Sequence, residues 1–230
     1  MIPVRLIATQ DDNIKNAIIK ATNRQTQVTE DQLFALSDFP KKLEAYFPTF
    51  DGKKKLHYER RSRQYSGVVG IEKVRVVSMT HLVRAFVAVF RTLPHRTTRD
   101  YKALLRGVGT EIFNKEHRLE PYYTAAFAHY RLEFLFRSQV FQAELKPARY
   151  HLLLVYKILV CGEALPPLNS HEMARMCNGL MESLWDDDIS RTIFETAAEH
   201  VRAVAAGNLH RDNIRTEPFT ESLLKRLKDV

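Results

Sequence analysis

From Thr80 to its end, the chain sets its apolar residues at helical spacing in nearly every segment, and this repetition constrains the fold more than any other feature. The segments read "THLVRAFVAVFRTL", "RDYKALLRGV", "PYYTAAFAHYRLEFLFRSQ", "KPARYHLLLVYKILV", "SHEMARMCNGLMESLW", "SRTIFETAAEHVRAVAA" and "ESLLKRLK". Breaks fall at Pro94, Gly109, Pro121, Pro147, Pro166-Pro167 and Gly207, where a missing N–H or a freely chosen φ ends a helix. No fixed-period repeat links the segments. With 230 residues, 45% of them apolar, the chain can bury a real core. The longest apolar stretch, "YHLLLVYKILVCG", is interrupted by His151 and Lys157 and is too short for a hydrocarbon layer of roughly 30 Å. It predicts a buried helix and no membrane partner. The start, "MIPVRLIATQ", lacks the apolar run and cleavage site of a secretory signal, so a cytoplasmic location is expected.

The first third reads differently. "IPVRLIAT" alternates like a strand, and "DDNIKNAIIKATN" then takes helical spacing, with Ile14, Ile18 and Ile19 on one stripe, Asp11 or Asp12 as its cap and Asn23 at its end. A second helix is expected after "TEDQ", and "KKLEAYF" follows Pro40. Strand readings return with "LHYERR", "SGVVG" and "VRVVSM". The expected class is therefore α+β: a small N-terminal mixed α/β segment, residues 1–79, followed by a predominantly helical body, residues 80–230. "CGEALPPLNS", residues 161–170, is either an internal boundary or an ordinary interhelix loop. A strand at residue 2 has few candidate partners. Either the chain is the downstream part of a longer or split protein, or these segments form a small sheet alone.

Charge separates the two halves. Residues 1–115 hold 21 Lys and Arg against 11 Asp and Glu, whereas residues 116–230 hold 14 against 16. Within residues 53–106 there are 14 basic side chains and three acids, Glu59, Glu72 and Asp100. Charge of one sign at this density draws in oppositely charged polymers, of which nucleic acid is the commonest. The densest part runs from Lys53, Lys54 and Lys55, after the turn signal Asp51-Gly52, into "YERRSRQY". A strand there sends Tyr58, Arg60 and Ser62 to one face and Glu59, Arg61 and Arg63 to the other. Glu59 is then placed to pair with Arg61 or Arg63 across a hairpin while Arg60 and the lysines meet phosphate; the competing reading is an internal lattice of ion pairs. Tyr58 and Tyr65 suit stacking on bases, with at least one of them expected in the core.

Two further stretches have the chemistry for nucleic-acid contact. "LPHRTTRDYK" sets His95, Arg96, Thr97, Thr98 and Arg99 in a polar loop before a helix, where Arg96 and Arg99 would hold phosphate; the plainer role is an N-cap at Thr97 or Thr98. "ATNRQT" places Asn23, Arg24 and Gln25 beyond a helix end, suited to base edges or, for Asn23, to a cap.

Catalytic signals are thin. A metal-dependent nuclease needs carboxylates and a lysine on adjacent strands, and only "ELK", Glu144 to Lys146, fits the tripeptide, in a region without a strand. "DDD", residues 186–188, precedes a helix, where negative charge complements the dipole. The histidines form no HExxH, and Cys161 and Cys177 lack ligand or disulfide spacing. No metal or other cofactor is expected, and no catalysis by this chain on its own.

"VRLIATQDDNIKNAIIKATNRQTQV", "YERRSRQY", "EKVRVVSMTHLVRAFVAVF", "LPHRTTRDYKALL" and "YYTAAFAHYRLEFLF", in this order, resemble the AIPR (abortive infection phage resistance) family over roughly residues 3–140. The resemblance implies a bacterial or archaeal protein of phage defence. Family members are usually longer, often with an upstream nuclease-like region that this sequence lacks. Together these readings suggest a nucleic-acid-binding or effector-associated module that binds DNA or RNA with low specificity. The alternative is a protein-interaction scaffold whose basic region docks on an N-terminal half or an acidic defence-system partner.

Overall fold

The computed structural model describes residues 8–22, 37–98, 100–109 and 111–229. Helix α1 spans Asp12–Thr22 and is capped by Asp11, whose carboxylate accepts from Asn13 N at 2.8 Å. Of the expected stripe on α1, Ile14 is exposed. Helix α2, Asp38–Tyr46, buries Phe39 and Leu43. Strands β1, His57–Glu59, and β2, Val76–Ser78, make a two-stranded parallel sheet in which His57 faces Val76, Tyr58 faces Val77 and Glu59 faces Ser78. The expected opening strand "IPVRLIAT" and the "TEDQ" helix start lie largely or wholly outside the described residues.

The parallel pairing corrects the hairpin expected around residue 60. A parallel pair needs a crossover of a dozen or more residues, and residues 60–75 supply it. "SGVVG" is no strand. Gly67 and Gly70 both sit at φ +85°, a left-handed conformation that breaks extended backbone on either side of Val68 and Val69, and the valines are exposed. Strand β1 stops at Glu59 because residues 61–67 fold into turns, with Gln64 N donating to Arg61 O and Ser66 N to Arg63 O.

The helical body follows the sequence closely. Helix α3, Met79–Phe90, starts at the cap Ser78; α4, Tyr101–Val108, starts at Asp100, which accepts from Lys102 N at 3.0 Å. Helix α5, Glu120–Arg137, has Pro121 in its first turn and is buried almost all round from Pro121 to Leu132, which makes it the axis of the molecule. Helix α6, Arg149–Cys161, and helix α7, His171–Trp185, complete the layer around it. Helix α8, Asp187–Ala205, begins where Asp186 accepts from Asp188 N and Ile189 N. A short α9, Arg211–Ile214, and α10, Glu217–Lys228, close the chain.

Packing follows burial. Helices α3 and α7 flank α5; α6 lies against α3 and α8, and α10 packs on α8. One apolar core runs without interruption from Phe39 to Leu223 and joins the small sheet to the helices. At its basic end it is aromatic: Phe86 stacks on Tyr122 with ring centroids 4.2 Å apart, and Phe50 on Tyr123 at 3.9 Å. Lys157, on α6, is buried and donates to Glu163 O at 2.7 Å, which ties the 162–168 loop to the helix that precedes it. Both cysteines are free thiols. Among the described residues, no helix is long and apolar enough to cross a membrane.

Candidate nucleic-acid interface

The lysine run is held from beneath by its backbone. Arg75, just before β2, donates through Nη1 to Lys53 O at 2.8 Å and Lys55 O at 3.1 Å, and the Tyr123 hydroxyl donates to Lys54 O. With three hydrogen bonds from two side chains fixing its carbonyls, the turn after Asp51 sends its side chains outward. Lys53 and Lys54 are exposed and Lys55 is half-buried. Lys53 Nζ lies 3.6 Å from Asp187, and Lys54 Nζ sits 3.8 Å above the Trp185 ring. Such exposed contacts are weak and readily exchanged for a phosphate.

Beyond the run, β1 alternates as expected, with a different outcome for its charges. Leu56, Tyr58 and Arg60 point inward and are buried. Tyr58 packs against Phe47 at 5.6 Å, its hydroxyl pushed to a high pKa chiefly by burial, so it offers no face to a base. Arg60 is 5% exposed, with Nε 2.6 Å from Glu44 Oε2 on α2, and Gln64 donates to the same carboxylate. The partner of the arginine cluster is thus Glu44, not Glu59 across a hairpin. Tyr58 and Arg60 belong to the interior because burial of a guanidinium requires a carboxylate, and α2 supplies it. Arg61 and Arg63 are exposed and, among the described residues, make no ion pair within 4 Å. Arg63 holds a left-handed φ of 61°, which few side-chain-bearing residues adopt.

In the second loop Arg96 is exposed, while Thr97 is buried with its hydroxyl donating to Pro94 O at 2.6 Å. Asp100, rather than Thr97 or Thr98, caps α4. His95 is buried as well, its Nδ1 3.1 Å from Thr220 Oγ1. Arg99 and the group Asn23, Arg24 and Gln25 lie outside the described residues. The structure therefore sets Lys53, Lys54 and Lys55 before β1 and Arg61 and Arg63 in the crossover that follows it, and carries Arg96 on a separate loop.

Beneath that crossover lies a cleft of about 410 Å³. Arg63, Tyr65 and Lys73 line it from the loop, His81 from α3, and His129, Glu133 and Arg137 from α5. The α5 trio falls at four-residue spacing, on one stripe of a helix. The two imidazole rings lie 4.8 Å apart. Burial lowers the pKa of His81 and, with His81, Arg149 and Arg137 adding to it, holds His129 well below its usual value, so both rings are neutral at pH 7. Glu133 is neutralised by Arg149, Nη1 to Oε1 3.3 Å. The sequence reading missed this cleft. Its signal is the polar spacing of His129, Glu133 and Arg137 inside an otherwise apolar helix.

The nuclease tripeptide finds no strand: Glu144 sits in a 3-10 run, Ala143–Ala148, with Arg202 3.9 Å away. Among the described residues no three His, Cys, Asp or Glu side chains are grouped to hold a metal ion. A family model described as AIPR protein matches residues 1–205. The chain belongs to the AIPR family. The match reaches well past residue 140 and takes in α5 to α8, so the cleft, the lysine run and the helical body up to Ala205 fall within it, while α9 and α10 lie beyond it. Membership supports a role in abortive-infection phage defence. No curated protein and no solved structure matches the chain.

Proposed function

We propose that this AIPR chain is a nucleic-acid-binding module of a phage-defence system, and that Lys53, Lys54, Lys55, Arg61 and Arg63, with Arg96 on its separate loop, contact phosphate. One observation carries the reading: Arg61 and Arg63 project from a crossover pinned on both sides, by Arg60 on Glu44 and by Arg75 on the lysine backbone, and have no ion pair of their own among the described residues. A backbone already held in place lowers the ordering cost when its exposed guanidinium groups meet an anion. Contacts of this kind position a backbone and read little sequence, so DNA and RNA bind with weak preference. Fluorescence anisotropy with single-stranded DNA, duplex DNA and RNA across a salt series tests it. Affinity is expected to fall linearly in log–log form with salt as counterions are released.

A second reading has its own observation. Val68 and Val69 stand exposed at the tip of the same crossover, Val69 almost completely. An apolar tip beside basic side chains also suits a protein surface with an acidic rim, such as an N-terminal half or a defence-system partner. Absence of binding at low salt to all three nucleic acids would put this scaffold reading first.

A further inference from the structure

We infer that the cleft beneath the crossover is a discrete site for the phosphate of a nucleotide-sized ligand, held by Arg63, Lys73 and Arg137 with His129 at its floor. This goes beyond the polymer-binding face and stands without it. The charge count comes first. With the charge of Glu133 offset by Arg149, Nη1 to Oε1 3.3 Å, the lining leaves three cations, Arg63, Lys73 and Arg137, against Glu59. None of the three has an ion pair within 4 Å among the described residues, so the surplus faces an anion rather than a protein carboxylate.

The second observation is independent of charge. His129 is 5% exposed and lines the cleft, yet its Nδ1 has no hydrogen-bond partner among the described residues. A buried polar atom left unpaired is costly; Tyr58 Oη and His200 Nδ1 share this state, and what sets His129 apart is its place in the lining of the cleft. A neutral imidazole carries one N–H donor, which suits a phosphate oxygen, and leaves its other nitrogen to accept from a hydroxyl.

Size and wall chemistry extend the ligand beyond phosphate. The volume of about 410 Å³ falls in the range of small-molecule sites and far exceeds one phosphate. Tyr65 and Tyr130 offer aromatic walls, and Val74 and Val76 an apolar one, for a sugar or base. The same phosphate chemistry comes from two sources, a free nucleotide or the 5′-phosphorylated end of a strand.

Calorimetric titration of the full chain separates them. The probes are inorganic phosphate, adenosine and uridine 5′-monophosphates, and one short oligonucleotide with and without its 5′-phosphate. Binding of the monophosphates, or tighter binding of the phosphorylated than of the dephosphorylated oligonucleotide, supports the site and names the source. Arg137→Ala, on the exposed end of α5, should weaken that binding about ten- to one-hundred-fold while leaving binding of the dephosphorylated strand unchanged. His129→Phe, with its fold checked by circular dichroism, should do the same. Failure of every phosphorylated probe to bind at millimolar concentration, or binding indifferent to Arg137→Ala, overturns the inference. Loss of polymer binding with monophosphate binding intact counts against the surface proposal alone.

Discussion

Arg60 Nε lies 2.6 Å from Glu44 Oε2, and this contact joins the crossover loop to helix α2 through a guanidinium that is almost wholly out of water. The contact divides the arginine cluster by task. Arg60 fixes the loop, and Arg61 and Arg63 are what the loop presents.

Arg60→Ala is therefore expected to act on stability. Removing one member of a buried pair leaves the other charge uncompensated, which costs about 3–5 kcal/mol; Glu44 keeps some contact with water, so the low end, about 3 kcal/mol, applies. Arg61→Ala and Arg63→Ala, at exposed positions, should change unfolding free energy by only about 0.5 kcal/mol. Urea denaturation of the three variants separates them, and equal losses would contradict the division of labour.

Arg75 gives a different signature. Its side chain points at the carbonyls of Lys53 and Lys55 instead of at solvent, so Arg75→Ala removes no surface phosphate contact. It should still cost about 1–3 kcal/mol from unsatisfied carbonyls and weaken nucleic-acid binding by loosening the lysine run. Lysine cannot substitute fully, because one ammonium cannot hold both carbonyls and also Glu72 Oε2, which Arg75 Nε meets at 3.1 Å. Paired denaturation and anisotropy measurements on Arg75→Ala and Arg75→Lys check this, and undiminished affinity in both would show that the run needs no backbone pin.

The helical body was legible because its information is local. "THLVRAFVAVF", "PYYTAAFAHYRLEFLF" and "ESLLKRLK" carry spacing, proline and capping signals within a few residues of one another, and the observed helices keep to them. The first third was read less well where the deciding partner is distant. Glu44 lies 16 residues from Arg60 and looked like an ordinary helix residue in "KKLEAYF". "SGVVG" has the apolar content of a strand, but the left-handed glycines at 67 and 70 decide its conformation. Thr97 has a capping side chain, yet its hydroxyl turns to Pro94 O and leaves the cap to Asp100. The cleft escaped for a related reason, since its charges come from a loop and from a helix whose composition otherwise reads as core.

The two thiols should differ in reactivity. Cys177 is buried between α7 and the core, and burial pushes its pKa up to about 12; Cys161 is half-buried at the end of α6, its pKa also raised by burial but partly offset by Lys157. Because the thiolate is the reactive form, iodoacetamide on the native protein should label Cys161 slowly and Cys177 only after unfolding. Peptide mass spectrometry with and without denaturant reads both sites, and native labelling of Cys177 at the rate of Cys161 would show that α7 opens.

Buried histidines make the fold sensitive to acid, and the sign follows from their neutral state. His151 is fully buried, with Nε2 3.1 Å from the Thr220 hydroxyl that also meets His95, so one threonine on α10 ties together two elements of the core. Burial first, and then the His95 charge, lowers the pKa of His151 to about 3. In the unfolded chain the value returns to about 6.5. Between these limits the unfolded state holds the proton and the folded state does not, so stability is complete above pH 6.5 and is lost as pH falls toward 3. The slope approaches 1.4 kcal/mol per pH unit, roughly 2 kcal/mol by pH 5 from His151, and His129 is shifted in the same direction. Unfolding free energy measured in urea at pH 7.5 and pH 5.0 should therefore drop by several kcal/mol. His151→Gln keeps a hydrogen-bonding group for Thr220 without titrating and should remove roughly 2 kcal/mol of that drop; an unchanged pH dependence in this variant would mean that His151 is not a source of the acid sensitivity.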